Sequence, residues 1–212
     1  MATVAQSNGG GLGGASPGKA PRTARGRETL RRLLDAAALE FGERGFHEAS
    51  ISGITRRAGT ALGSFYTYFD SKDAIFSALV RDMSQSVATL AASAVTPGAT
   101  GIQREREAFA GFLRFAREHK ELYRIIDEAE FADPASYRAH YEGTAARIAA
   151  RFDESVASGA IAPGDNEVRA WAVMGMNVFL GLRFGVWSED RPVEEVVAVA
   201  EQILREGLGG KV

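Results

Sequence analysis

The sequence predicts an all-α protein built from an N-terminal three-helix unit of the helix-turn-helix kind and a larger C-terminal helical domain. Three observations predict it. Apolar residues recur at three- and four-residue steps from Leu30 to Leu204, strand-like alternation never lasts more than a few residues, and two short apolar segments near the N-terminus lie a tight turn apart. A chain of 212 residues is long enough for a small domain fused to a larger one. With 45% apolar and 25% charged residues it has the composition of a globular protein.

Residues 1–21 are rich in Gly, Ser, Ala and Pro and hold almost no large apolar side chains, so a flexible tail is expected there. Lys19, Arg22, Arg25, Arg27, Arg31 and Arg32 then fall within fourteen positions. They form either a solvated basic arm or, beside a DNA-reading unit, an arm that contacts phosphates or the minor groove. The net charge of −2 conceals an asymmetry: residues 1–72 carry ten Lys/Arg against six Asp/Glu, and the remainder is acidic. Positive charge is thus concentrated in the first third.

From Glu28 to Glu43, the residues Leu30, Leu33, Leu34, Ala37, Ala38 and Phe41 mark one helical face, which Gly45 is expected to end. Ser50 is a candidate N-cap for a short second helix through Ile51, Ile54 and Ala58 to Gly59. A third short helix holds Leu62, Phe65 and Phe69. Ser71 can cap a fourth, with the stripe Ile75, Leu79, Met83, Val87 and Leu90. The segment from Val95 to Gly101, with Pro97 and Gly98, breaks the pattern.

Five more helices follow. Phe109, Phe112, Leu113 and Ala116 mark one, and Leu122, Tyr123, Ile125 and Ile126 a shorter one ending near Asp133-Pro134. Tyr137, Tyr141, Ile148, Phe152 and Val156 mark the next, which stops at Gly159. The stretch from Val168 to Trp187 is apolar on more than one side and must be covered on more than one side. Arg169, Asn177 and Arg183 interrupt it, so a buried helix of a soluble protein is expected rather than a membrane span. Val193, Val196, Val197, Ala200 and Leu204 give the closing helix.

Several classes are disfavoured. The absence of cysteine excludes disulfides, thiol nucleophiles and thiolate metal sites. His47, His119 and His140 have no metal-ligand spacing, and no Gly-rich loop follows a strand. The acidic residues Asp127, Glu128, Glu130 and Asp133 read as a hydrated helix surface before they read as acid–base machinery. No catalytic residue, cofactor or metal is therefore expected. The N-terminus lacks the charged, apolar and small-residue succession of a secretory signal, so a cytoplasmic protein is expected.

The motifs Leu33-Leu34-Asp35-Ala36-Ala37, Phe41, Arg44-Gly45-Phe46, Ile54, Ala58-Gly59, Gly63-Ser64-Phe65-Tyr66-Thr67-Tyr68-Phe69 and Ser71-Lys72-Asp73-Ala74 resemble the TetR family of ligand-responsive transcriptional regulators. The likeness covers about 50 residues closely. It implies a DNA-binding domain over 22–72, and over 73–212 a domain that binds an effector and dimerises. The DNA-contact set expected is Arg22, Arg25, Arg27, Ser50, Thr60, Ala61, Leu62, Gly63, Ser64, Tyr66, Thr67, Tyr68 and Lys72. Gly63 lets the recognition helix approach the backbone of the duplex, and the Ser64 hydroxyl can donate to phosphate. Tyr66 and Tyr68 point in different directions; Tyr68 either reaches DNA or packs beside Phe65 and Phe69. Lys72 matches the family's phosphate contact, its alternative being a solvated surface lysine.

The turn Gly59-Thr60-Ala61-Leu62 departs from the family's usual pattern. Ala61 has no capping atom, so Thr60 is expected to cap and to shift the helix start by about one residue. Leu62 replaces a common basic contact and could touch a thymine methyl. Gly53 and Thr55 are weak helix formers, which makes docking of the second helix on the first more important.

The resemblance also implies a homodimer reading two half-sites about 34–36 Å apart. Its expected interface is the last two helices, where Gly175, Gly181 and Gly185 permit close approach; Gly181 and Gly185 could instead accommodate neighbours in the same chain. The expected effector is small and hydrophobic or aromatic. Candidate ligand residues are Phe112, Tyr123, Phe131, Tyr137, Tyr141, Met174, Asn177 and Arg183, the last two because a polar group in apolar surroundings needs a partner. Glu121-Leu122-Tyr123-Arg124-Ile125, Glu130-Phe131 and Gly181-Leu182-Arg183-Phe184 look like members that respond to acyl-coenzyme A thioesters. Release of a repressor by its ligand is the family default. The competing class is a helical adaptor or small-molecule-binding protein that does not read DNA, favoured by Leu62 and the modest positive balance.

Overall fold

A computed structural model describes residue 21 and residues 23–208 of the chain. The expected tail over 1–21, apart from Pro21, and the contact expected of Arg22 lie outside them. Nine α-helices and no strands make up the described residues: α1 (Ala24–Glu48), α2 (Ile51–Ala58), α3 (Leu62–Tyr68), α4 (Lys72–Ser93), α5 (Gly101–Glu118), α6 (Glu121–Ala132), α7 (Pro134–Ala157), α8 (Asn166–Gly181) and α9 (Val193–Leu208). The last turns of α8 widen into a π-helical segment over Leu182–Trp187.

Local chemistry sets most of the boundaries. The hydroxyls of Thr23, Ser50 and Ser71 accept the backbone N–H of Gly26, Gly53 and Ala74, capping α1, α2 and α4. Asp133 caps α7 by accepting from Ser136 N–H, with Pro134 at the first helical position. Gly45 does not end α1. It sits at φ 79°, ψ 165° as a break within the helix, and the helix runs on to Glu48.

The first core does not stop at the end of the N-terminal unit. Leu33, Ala37, Phe41, Ile54, Phe65 and Phe69 of α1–α3 are buried together with Ile75, Phe76, Leu79 and Val80 of α4 and Leu122, Ile125 and Ile126 of α6. Phe76 meets the edges of Phe41 and Phe46 at 5.1 and 4.8 Å between ring centres. Each such fully buried side chain contributes about 1.5–3 kcal/mol of transfer free energy, so α1 and α6 cannot separate without large cost. A second core joins α7 and α8 through Ile148, Phe152, Val173 and Met174, and a third joins α5 and α9 through Phe109, Leu113, Val196 and Val197.

Two carboxylates are buried and paired. Glu105 on α5 forms a two-pronged bond with Arg151 of α7, both distances 2.6 Å. Glu40 on α1 accepts from Arg57 Nε of α2 at 2.7 Å and lies 3.4 Å from Arg44. A Cβ at Gly53 would collide with the Glu40 carboxylate. The weak helix former in α2 is thus required for α2 to lie over this buried charge.

One expectation is corrected by the packing of α8. Its inner face, with Ala170, Val173 and Met174, is buried, but Trp171, Phe179 and Trp187 stand in solvent, Phe179 being 72% exposed. The apolar surface that needs a second cover has none among the described residues.

Candidate nucleic-acid interface and effector cavity

Helix α3 is amphipathic within seven residues. Phe65 and Phe69 face the core, whereas Leu62, Gly63, Tyr66 and Thr67 face out and Ser64 and Tyr68 are half-buried. Leu62 and Tyr66 are 51% and 49% exposed, large apolar surface for a chain to leave in water without a use. A Cβ at Gly63 would meet nothing within 4 Å, so its lack of side chain answers to no neighbour among the described residues.

The turn before α3 corrects the capping expected of Thr60. Gly59 closes α2 in the left-handed region at φ 62°, and Thr60 N–H bonds back to Thr55 O at 3.0 Å. Thr60 is thereby consumed in ending α2. Ala61 takes the N-cap position of α3 without a side-chain bond, the helix starts at Leu62, and Thr60 Oγ1 is left buried with no partner among the described residues.

A polar cleft separates this turn from the start of α1. Thr23, Arg25, Arg32, Thr60, Ser64 and Tyr68 line it, with Ala61 and Thr67 at its edges. It gathers Arg25, Thr60, Ala61, Ser64, Thr67 and Tyr68 from the expected contact set. Arg27, Ser50, Leu62, Gly63, Tyr66 and Lys72 lie outside its walls. Tyr68 also packs against the first core, and its hydroxyl reaches over Gly26 at the beginning of α1.

Lys72 departs from its expected part. Its ammonium donates to the carbonyls of Phe46, His47 and Ala49 at 2.7, 3.0 and 3.1 Å and lies 4.6 Å from the Phe46 ring centre. An ammonium has three protons, and all three are committed. The charge that was expected at a phosphate closes the end of α1 instead.

In the C-terminal part a cavity of about 650 Å³ opens between α4, α5, α7 and α8. Phe109, Phe112, Ile148, Met174 and Val178 supply its apolar wall; His140, Tyr141, Asn177 and three arginines supply its polar groups. Of the residues expected at a ligand, Phe112, Tyr141, Met174 and Asn177 line it. The other four do not. Tyr123 donates its hydroxyl to Val178 O behind the wall at 2.9 Å, and Tyr137 packs edge-on against Tyr141. Phe131 is 83% exposed at the end of α6, and Arg183 turns away to Asp190 at 3.3 Å.

His140 shows how the cavity is polarised. Ser84 Oγ donates to Val80 O at 2.7 Å and therefore accepts from His140 Nδ1–H, also 2.7 Å away. Burial, and after it Arg147, push the ring's pKa down to about 4, so the imidazole is neutral with Nε2 free to accept.

Residues 33–79, from mid-α1 into α4, match the family described as bacterial regulatory proteins, tetR family. Over that stretch the chain carries the region that the tetR family shares. Among its relatives is the HTH-type transcriptional regulator YdgC of Bacillus subtilis, 39% identical over 48% of this chain and 54% of that protein. The chain thus aligns with about half the length of this relative. A TetR-like transcriptional regulator from Rhodococcus sp. RHA1 has the same fold over 91% of this chain and all of its own, with TM-score 0.69 and 25% identity. The transcriptional regulator FadR of Bacillus subtilis, solved in complex with stearoyl-CoA, covers 86% of this chain and 99% of its own at TM-score 0.71 and 18% identity.

The structure also gives work to polar residues of α6 and of the α6–α7 junction that the sequence alone reads as a hydrated surface. Glu128 accepts the backbone N–H of Phe46, and Arg124 donates to the carbonyls of Gly42 and Glu43 at 2.9 and 3.0 Å. Asp133 accepts from the Ser77 hydroxyl as well as capping α7. Burial alone would raise its pKa, but bonds from Ser136 and Ser77 outweigh it and hold the carboxyl below the usual range. The only hint of the α6 clamp was Gly45 itself, since a helix break frees backbone groups that something must satisfy.

Proposed function

We propose that the protein is a transcriptional repressor that binds duplex DNA as a homodimer and leaves its operator when a small hydrophobic or aromatic effector fills the cavity. One observation carries the DNA reading: α3 turns a compact apolar-plus-hydroxyl face outward, beside a polar cleft edged by Arg25 and Arg32. In a major groove that face would bring Leu62, Gly63, Tyr66 and Thr67 to base edges, while Ser50, Thr60, Ala61, Ser64 and Tyr68, with Arg22, Arg25 and Arg27, follow the phosphates. Lys72 contributes through the end of α1. The division at residue 72 separates roles rather than cores.

The uncovered face of α8 and α9, with Trp171, Phe179, Trp187, Val199 and Ile203, supports the dimer. Of the three glycines expected there, only Gly175 is open. A Cβ at Gly181 would collide with the Tyr123 hydroxyl, and one at Gly185 would touch Leu113 and Ala116, so these two serve neighbours in the same chain.

The cavity and the likeness to FadR support an effector with an acyl chain, the coenzyme A thioester being one form to test. Ligand and DNA need only prefer different conformations for release to follow. A mobility shift on DNA upstream of the protein's own gene, repeated at several salt concentrations, tests the reading. Binding that weakens steeply with salt supports it. Absence of binding at low salt favours the adaptor alternative.

A further inference from the structure

The geometry points to an amphipathic carboxylate as the occupant of the cavity, its chain inside and its anionic head on Arg147 of α7. This rests on the effector reading above and narrows it to a chemical class.

Three arginines line the cavity, and two are spoken for. Arg151 is bound through Nε and Nη2 to the buried carboxylate of Glu105, and Arg104 is paired with Glu154. Among the described residues, Arg147 has no carboxylate within ion-pair distance. Its bond is to a neutral oxygen: Nη2 donates to Thr144 Oγ1 at 2.9 Å, while that hydroxyl donates to His140 O at 2.8 Å. Thr144 therefore fixes the guanidinium and leaves most of its N–H groups open. Partial desolvation by the surrounding helices, and then the charge of Arg151, hold the largely exposed Arg147 below the usual guanidinium range, a local excess of positive potential that an anion relieves.

Burial gives the orientation: Phe109, Met174 and Ile148 of the lining are almost completely buried, whereas Arg147 of the same lining is exposed. His140 adds no charge because its Nδ1 proton is held by Ser84. The cavity thus presents one uncommitted positive charge above an apolar chamber. That matches a monoanion with a hydrocarbon or aryl tail. A coenzyme A thioester has a neutral carbonyl where the carboxylate would sit and brings several phosphate charges that the remaining, already paired arginines are not free to meet.

Calorimetric titration of the full chain with dodecanoate, dodecanol, methyl dodecanoate and dodecanoyl-CoA tests this. Dodecanoate should bind at least about 10-fold tighter than dodecanol, the gain typical of a hydrogen bond to a charged group. Arg147→Gln should bring that ratio close to one, and Arg147→Lys should restore part of it. Equal affinity of acid and alcohol, tighter binding of the thioester than of the free acid, or an unchanged ratio in Arg147→Gln overturns the inference while leaving a hydrophobic effector site in place. If none of the four binds a protein that still shifts DNA, the effector reading fails and this inference fails with it.

Discussion

The Glu128 carboxylate on α6 accepts the backbone N–H of Phe46, the first residue beyond the break in α1 at Gly45. Arg124, one turn earlier on α6, holds the carbonyls of Gly42 and Glu43 on the other side of that break. A helix of the N-terminal unit is therefore stapled, at its one irregular point, to a helix of the C-terminal part. Tyr123 on the same α6 is bonded to Val178 O, part of the cavity wall.

Removing the staple should loosen the break before anything else. Glu128→Ala deletes a charge-assisted bond to a backbone donor, at a cost of about 1.5–3 kcal/mol. The Phe46 amide should then exchange hydrogen markedly faster while amides in mid-α4 keep their protection. Gly45→Ala should cost as much, since it sets a side chain at φ 79° and its Cβ would lie 2.6 Å from Glu128 Oε1 and 2.9 Å from Arg124 Nη2. Unchanged exchange at Phe46 in Glu128→Ala would show that the bond contributes nothing.

Gly53→Ala separates propensity from packing. In an exposed helix the change gains up to about 1 kcal/mol. Here the new methyl meets the carboxylate of Glu40, which is 1% exposed and pinned by Arg57 and Arg44. Overpacking costs typically about 1–3 kcal/mol, so the net effect is a loss of stability, read as a lower midpoint in thermal unfolding. A rise in midpoint would mean that the Glu40 network yields easily.

Much of this was legible beforehand and some was not, for a physical reason. Caps, glycine stops and the 3.6-residue period are local, so all nine helices could be placed, with Ser50 and Ser71 as caps. Polar pairing between distant segments leaves no periodic trace. Glu128 and Asp133 therefore read as surface charges and Lys72 as a phosphate contact, although each satisfies backbone or hydroxyl groups across the fold. The cavity was half legible. Phe112, Tyr141, Met174 and Asn177 sit on faces that the period aims inward, but the period cannot tell a wall from a filled core, and Phe131 falls outside both.

The depressed pKa of His140 makes stability depend on pH. Its folded value of about 4 lies below the ordinary 6.5, so the neutral ring stabilises the fold fully above pH 6.5 and that contribution is lost as pH falls toward 4. The amount at stake is on the order of 3 kcal/mol. Urea midpoints of the wild type and His140→Gln, compared at pH 7 and pH about 4, isolate it. The wild type should lose more stability than the variant between these two points. Parallel losses would show that the ring protonates freely in the folded protein.

Tyr66 and Lys72 should part company when each is replaced by alanine. Tyr66 is about half exposed on α3, so its truncation leaves the core alone; loss of a contact to DNA of about 1–3 kcal/mol would lower affinity roughly 5- to 150-fold at unchanged thermal stability. Lys72 has its three N–H groups on carbonyls of Phe46, His47 and Ala49. Lys72→Ala strands those acceptors and should lower the unfolding free energy by about 1–3 kcal/mol even without DNA. The slope of log affinity against log salt discriminates further. A lysine that met a phosphate would reduce the slope by about one on removal, whereas one buried in carbonyl bonds leaves the slope as it was and weakens binding through the disordered end of α1. A reduced salt slope together with intact stability in Lys72→Ala would move this lysine back to the DNA.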